Sequence, residues 1–256
     1  MSILVDVHCH LDHPAFKDLD AVIDRAKKTG LKSIVTAGVD ADSNRRVLEI
    51  SKRYDIVKAS LGIYPISVLQ KEKEIYNLPH AGFDADQEIE FIRKNKDNLV
   101  FIGEIGMDFA LVKDSSQQEL FLKMIELAES IKKPIIVHSR KAEKEVIDVI
   151  ESSKIKKVIM HCFSGNLSLV KKIEDNGWFI SIPPNIVRSS HFQEIVKKVN
   201  INQLLTETDA PFLAPEKDGR NEPSNVLFAV KKIAELKGMD ALEVQNNIFM
   251  NYNKLI

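Results

Sequence analysis

Cysteine is nearly absent from this 256-residue chain, which holds only Cys9 and Cys162, and tryptophan occurs once. That excludes a small secreted scaffold stapled by disulfides, because such scaffolds are cysteine-dense. The N-terminus has no signal-peptide layout, so free thiols in a reducing cytoplasm are expected. Ten glycines and nine prolines rule out collagen-like or low-complexity tracts. No apolar stretch reaches the roughly 20 residues that a membrane-spanning helix needs, so no membrane partner is expected. An excess of charge of either sign is also missing: 36 basic side chains face 37 acidic ones, for a formal net charge of −1. Proteins that hold long nucleic acid by charge alone carry a basic stripe or excess. Any nucleic-acid partner here should therefore be gripped locally, at an end or over a short stretch.

What the chain does have is apolar material, at 44% of its residues, arranged in a regular alternation. Short β-branched runs at 3–8, 32–37, 57–62, 100–105, 135–139, 157–162, 179–182 and 204–208 read as strands. Amphipathic stretches separate them; over 116–131, Leu120, Met124, Leu127, Ala128 and Ile131 fall on one helical face. Pro134 and Gly177 punctuate the approaches to the fifth and seventh strands. Eight βα units in this length match a (β/α)8 TIM barrel, although a doubly wound open sheet alternates in the same way. The placement of the polar residues separates the two. Histidines and acids end five different strands, and a closed barrel gathers all those ends into one mouth. With no linker or repeat, one domain spanning 1–256 is expected. The segment 64–83, containing Pro65, Pro79 and Gly82, is the longest irregular stretch and should overhang the mouth.

His8-Cys9-His10 ends the first strand. Residues two apart on a strand share a face, so both imidazoles can reach one ion while Cys9 turns to the helices. Glu104 ends strand four, His138 strand five and His161 strand six, and Asp209 follows strand eight. A lone histidine after an apolar run is often a satisfied core residue. An unpaired carboxylate at the end of a buried strand, by contrast, costs several kcal/mol. A divalent cation supplies what all six need, and mixed imidazole and carboxylate donors suit Zn²⁺, Mn²⁺ or, less comfortably, Mg²⁺. Six donors exceed the needs of one catalytic ion, which keeps a position open for water, so two metal ions are expected.

The segments Asp6-Val7-His8-Cys9-His10-Leu11-Asp12, Gly103-Glu104-Ile105-Gly106-Met107-Asp108, Val137-His138-Ser139-Arg140, His161-Cys162-Phe163-Ser164-Gly165 and Glu207-Thr208-Asp209-Ala210-Pro211 occur in that order. Together with Arg220-Asn221-Glu222-Pro223 they resemble the motif series of the TatD family, metal-dependent deoxyribonucleases of the amidohydrolase superfamily. The resemblance covers nearly the whole chain. It implies that His8, His10 and Asp209 hold one metal, and that Glu104 bridges to a second held by His138 and His161. It also implies that Asp209 takes the proton of a water activated by the two metals, with Glu104 the other catalytic group and DNA the substrate. Asp108 and Glu207 are expected behind the ligands, orienting a histidine or water. Arg140 suits a phosphate, or else an ion pair with Glu143 or Glu145, and Asn221 suits substrate or a plain turn before Pro223. His13, His80 and His191 read as surface residues, and the two cysteines as packing.

Two departures from the family pattern stand out. Gly62-Ile63-Tyr64-Pro65 carries tyrosine where Gly-x-His-Pro is usual, which makes Tyr64 a candidate substrate contact, as hydrogen-bond donor or stacking surface, or a side chain packed on Pro65. Pro183-Pro184-Asn185 lacks the Gly-x-x-Thr-Phe pattern of many bacterial members. Rival functions are hydrolysis of another ester or amide, such as a D-aminoacyl-tRNA, and a non-catalytic binding barrel. An incomplete ligand set would favour the last, and here all six positions are filled.

Overall fold

The computed structural model describes residues 3–75 and 84–256. Eight parallel strands lie in sequential order: β1 Leu4–Cys9, β2 Leu31–Ala37, β3 Val57–Leu61, β4 Leu99–Gly106, β5 Ile135–His138, β6 Val158–Met160, β7 Phe179–Ile182 and β8 Leu204–Thr206. Helices cover the outside: α1 Leu19–Thr29, α2 Ala41–Arg53, α3 Ile66–Ile75, α4 Ala85–Lys94, α5 Ser115–Ile131, α6 Glu143–Glu151, α7 Leu167–Asp175, α8 Ser190–Lys198, α9 Val226–Lys237 and α10 Ala241–Leu255. This is the expected (β/α)8 barrel. Every residue of β1, β7 and β8 is buried, as strands covered on both faces must be. The seam between β8 and β1 is stitched by the Thr206 hydroxyl to Val5 O at 2.7 Å and by Asp209 N to His8 O at 2.9 Å.

Many helices begin where an Asp, Asn or Ser side chain accepts a backbone N–H of the first turn, as Asp40, Asp114, Asn166 and Ser189 do. Gly30 and Gly238 end α1 and α9 in the left-handed conformation. One expectation needs correction. Residues 66–75 of the supposedly irregular 64–83 segment form α3, and the remainder from 76 lies outside the described residues, as does His80. Pro65 stands immediately before α3, where its missing N–H costs nothing, so it marks a helix start rather than a loop.

Two glycines let the strands that carry the site approach one another. A Cβ on Gly62 would lie 2.4 Å from Glu104 O, and one on Gly106, at φ +144°, would lie 2.0 Å from His138 O. Any side chain at either position would push β3 or β5 away from β4.

Candidate metal centre

The six expected ligands meet at the C-terminal mouth of the barrel. His8 Nε2 and His10 Nε2 are 3.2 Å apart. Each is 3.5 Å from Glu104 Oε2, and they lie 3.4 and 3.3 Å from Asp209 Oδ1. A tetrahedral ion with ligands near 2.0–2.1 Å separates its donors by about 3.3–3.4 Å, so these four atoms have the spacing of one coordination shell. On the other side of the same carboxylate, Glu104 Oε1 is 2.8 Å from His138 Nδ1 and 3.1 Å from His161 Nε2, which are 3.4 Å from each other. This second trio is tighter and has only three protein donors, which leaves coordination for water or substrate.

Hydrogen bonds behind the imidazoles assign their tautomers. His10 Nδ1 faces Ala37 O at 3.2 Å, His161 Nδ1 faces Glu207 Oε2 at 3.3 Å, and His138 Nε2 faces Asp108 Oδ2 at 2.8 Å. In each case the outer nitrogen can donate, so that the inner one, once it has lost its proton, offers a lone pair to a metal, the arrangement expected of ligating histidines. The donor set therefore fits divalent-ion coordination. His8 Nδ1 is buried without a partner among the described residues. Its ring is held instead by the fully buried strand and by the ring of His161 at 4.1 Å.

Without cations the charges of the cluster are shared as protons. Burial disfavours charge on His10, yet Asp209 and Glu104 outweigh it and lift that imidazole to about 9. Burial likewise opposes ionisation of Glu104, but His161 and His138 hold its carboxyl well below the usual range. Asp209 is held low against its burial by His10 and His8. Asp108 falls to about 2 despite its burial, through His138, Ala110 N–H and the Tyr64 hydroxyl. Burial pushes both thiols up, and Cys9 donates to Val35 O, so neither cysteine competes for metal.

The supporting residues fall into place with some revisions. Glu207 is fully buried and accepts Cys162 N–H at 2.8 Å and the Ser181 hydroxyl at 2.7 Å besides holding His161. Tyr64 does not overhang the mouth; it is buried, and its hydroxyl donates to Asp108 Oδ2 at 2.7 Å. Arg140 pairs through Nε with that same oxygen at 2.7 Å rather than with Glu143 or Glu145, and its side chain is 46% exposed. Asn221 is fully buried: it donates to Thr208 O and Phe212 O and accepts from Glu222 N and Asn225 Nδ2. Its side chain has no capacity left for substrate and instead braces the loop that carries Asp209. His13 and His191 are half-buried rather than surface residues. Asp6, given no role from the sequence, is fully buried and accepts from His8 N and Thr208 N, tying the first ligand strand to the last. A carboxylate inside an apolar strand was its available signal.

A sequence profile for TatD-related DNases matches residues 5–256. The chain belongs to the TatD family. Among its relatives, a metal-dependent hydrolase of Methanocaldococcus jannaschii is 37% identical over 251 residues, covering 96% of this chain and 94% of that protein. The human deoxyribonuclease TATDN3 is 34% identical over 260 residues, with 98% and 94% covered. The crystal structure of a TatD homologue from Escherichia coli superposes with a TM-score of 0.85 at 26% identity, covering 99% of this chain and 97% of that one. Within this TatD protein the tyrosine that replaces the usual histidine after β3 reaches the metal centre through Asp108, and the variant segment after β7 forms a short 3-10 helix, Pro184–Val187.

Proposed function

We propose that this TatD protein is a deoxyribonuclease that holds two divalent metal ions and hydrolyses phosphodiester bonds at DNA ends or in short single-stranded stretches. The observation that carries this reading is the division of the Glu104 carboxylate, with Oε2 toward His8 and His10 and Oε1 toward His138 and His161. Divalent ions held by these residues would supply positive charge that makes a water more acidic and favours the oxygens of a phosphodiester. Four imidazoles and two carboxylates favour Zn²⁺ or Mn²⁺ over Mg²⁺.

The residues divide the remaining work. Asp209, at 15% exposure, is the more open of the two acids and is ionised, so it is the group placed to accept a proton at the mouth. Arg140 and Lys141 after β5 and Arg188 after β7 put cations on two of the loops at this end. That agrees with local capture of a phosphate by a chain whose net charge is −1.

The test is metal-reconstituted protein incubated in parallel with end-labelled single-stranded DNA, duplex DNA and D-aminoacyl-tRNA. Cleavage of DNA is expected, and deacylation without DNA cleavage would overturn the reading. Asp209→Asn, checked for metal content, should lower DNA cleavage by about 10² or more, the scale of general-base loss.

A further inference from the structure

Two phenylalanines are strongly exposed among the described residues, and their surroundings differ. Phe228 lies on α9, on the outside of the barrel. Phe212 is 50% exposed and stands at the rim of the metal centre, on the same loop as Asp209. Its ring centroid is 6.3 Å from that of His10 and 5.5 Å from that of His13, at interplanar angles of 66° and 78°. Neither histidine lies parallel to the ring, so neither covers it as a stacked partner would. The backbone beneath it is fixed on both sides: Phe212 N donates to Asp209 O at 2.9 Å, and Phe212 O accepts from the buried Asn221 Nδ2 at 2.6 Å. Leu111, on the loop after β4, and Val187, after β7, add exposed apolar surface at the same end of the barrel.

A flat apolar ring on an anchored backbone, half open beside a phosphodiester-cleaving centre, matches a nucleobase. Bases present a π-face of similar size, and a fixed ring binds one with little ordering cost. We propose that Phe212, backed edge-to-face by His13, is a stacking platform for the base adjoining the bond that is cut. Stacking of this kind reads the presence of a base rather than its identity, so the site tolerates any sequence. The proposal rests on the deoxyribonuclease reading and deepens it.

Binding of fluorescein-labelled single-stranded DNA to the metal-loaded Asp209→Asn protein tests it without cleavage. Phe212→Ala in that background should weaken binding by about 10-fold or more, and Phe212→Trp should preserve it. Phe212→Leu keeps apolar bulk without a flat face and should resemble alanine. Oligonucleotides with one abasic position, stepped from the labelled end, add a second measure. At one position the missing base should weaken binding to the Phe212 protein yet cause no further loss in Phe212→Ala. Equal binding by the phenylalanine and alanine proteins, or an alanine loss that is the same at every abasic position, overturns the platform. Wild-type cleavage of the intact oligonucleotide, measured alongside, separates the two failures. DNA cleaved by wild type with no Phe212 effect removes the platform alone, whereas no binding and no cleavage of any DNA removes both readings.

Discussion

Tyr64 donates its hydroxyl proton to Asp108 Oδ2 over 2.7 Å, and this one oxygen also receives His138 Nε2–H at 2.8 Å and Arg140 Nε–H at 2.7 Å. Three donors from β5 and the loops after β3 and β5 thus fix a carboxylate that in turn holds the His138 imidazole. Partners behind a metal ligand commonly set 10–100-fold in affinity. Asp108→Asn is accordingly expected to weaken the metal held by His138 about 10–100-fold, and Tyr64→Phe, which removes one donor of three, less than about 10-fold. Competition titrations with a chelating dye check this ranking. Identical affinities in all three proteins would show that Asp108 does not tune the ligand.

Glu104 is the only acid within ion-pair distance of both pairs of histidines among the described residues. Glu104→Ala should reduce metal content from about two per chain to fewer than one, because each site loses a donor. Elemental analysis after dialysis against a fixed free-metal concentration measures it. Full occupancy in the variant would remove the carboxylate bridge.

Asn221 connects four partners from inside the loop that carries Asp209. Asn221→Ala leaves buried carbonyls and an N–H unpaired, so unfolding free energy should fall by about 2–4 kcal/mol. Denaturant unfolding of the two proteins gives the number. A loss below about 0.5 kcal/mol would mean that water or backbone movement replaces the side chain.

The barrel and the gathering of the six side chains at its mouth were legible because each rests on a local signal. β-branched runs mark the strands, and a histidine or acid at the end of an apolar strand, as at Glu104 or His161, is expensive unless something binds it. Roles set by three-dimensional partners were less legible. The sequence puts Tyr64 beside Pro65, but only the closeness of β3 to β4, which Gly62 permits, brings its hydroxyl to Asp108. Asn221 has turn neighbours that suit either a loop or a ligand, and its inward orientation decides between them. Arg140 has acids nearby in sequence at Glu143 and Glu145, yet α6 carries those toward Lys113 and Ser164, and the Nε–H of Arg140 goes to Asp108.

The raised imidazole of His10 gives the metal centre a directional dependence on pH. In the metal-free protein its pKa lies near 9, above the ordinary value of 6.5, because Asp209 and Glu104 outweigh the effect of burial. His138 and His161 are raised as well against their burial, the first by Asp108 and Glu104 and the second by Glu104 and Glu207. A metal binds only the unprotonated nitrogen, so loading near pH 7 must expel protons, and affinity should climb as pH rises toward about 9. The stability of the metal-free protein runs the other way. A group whose folded pKa is raised stabilises fully below its unfolded value, near 6.5, and that contribution is lost as pH passes through about 9. The thermal shift produced by metal should therefore grow between pH 6.5 and 9. Calorimetric titrations in two buffers of different ionisation enthalpy count the protons released, and melting curves with and without Zn²⁺ follow the shift. Heats independent of buffer, together with a metal-induced shift that shrinks over this range, would show that these histidines are already neutral in the metal-free protein.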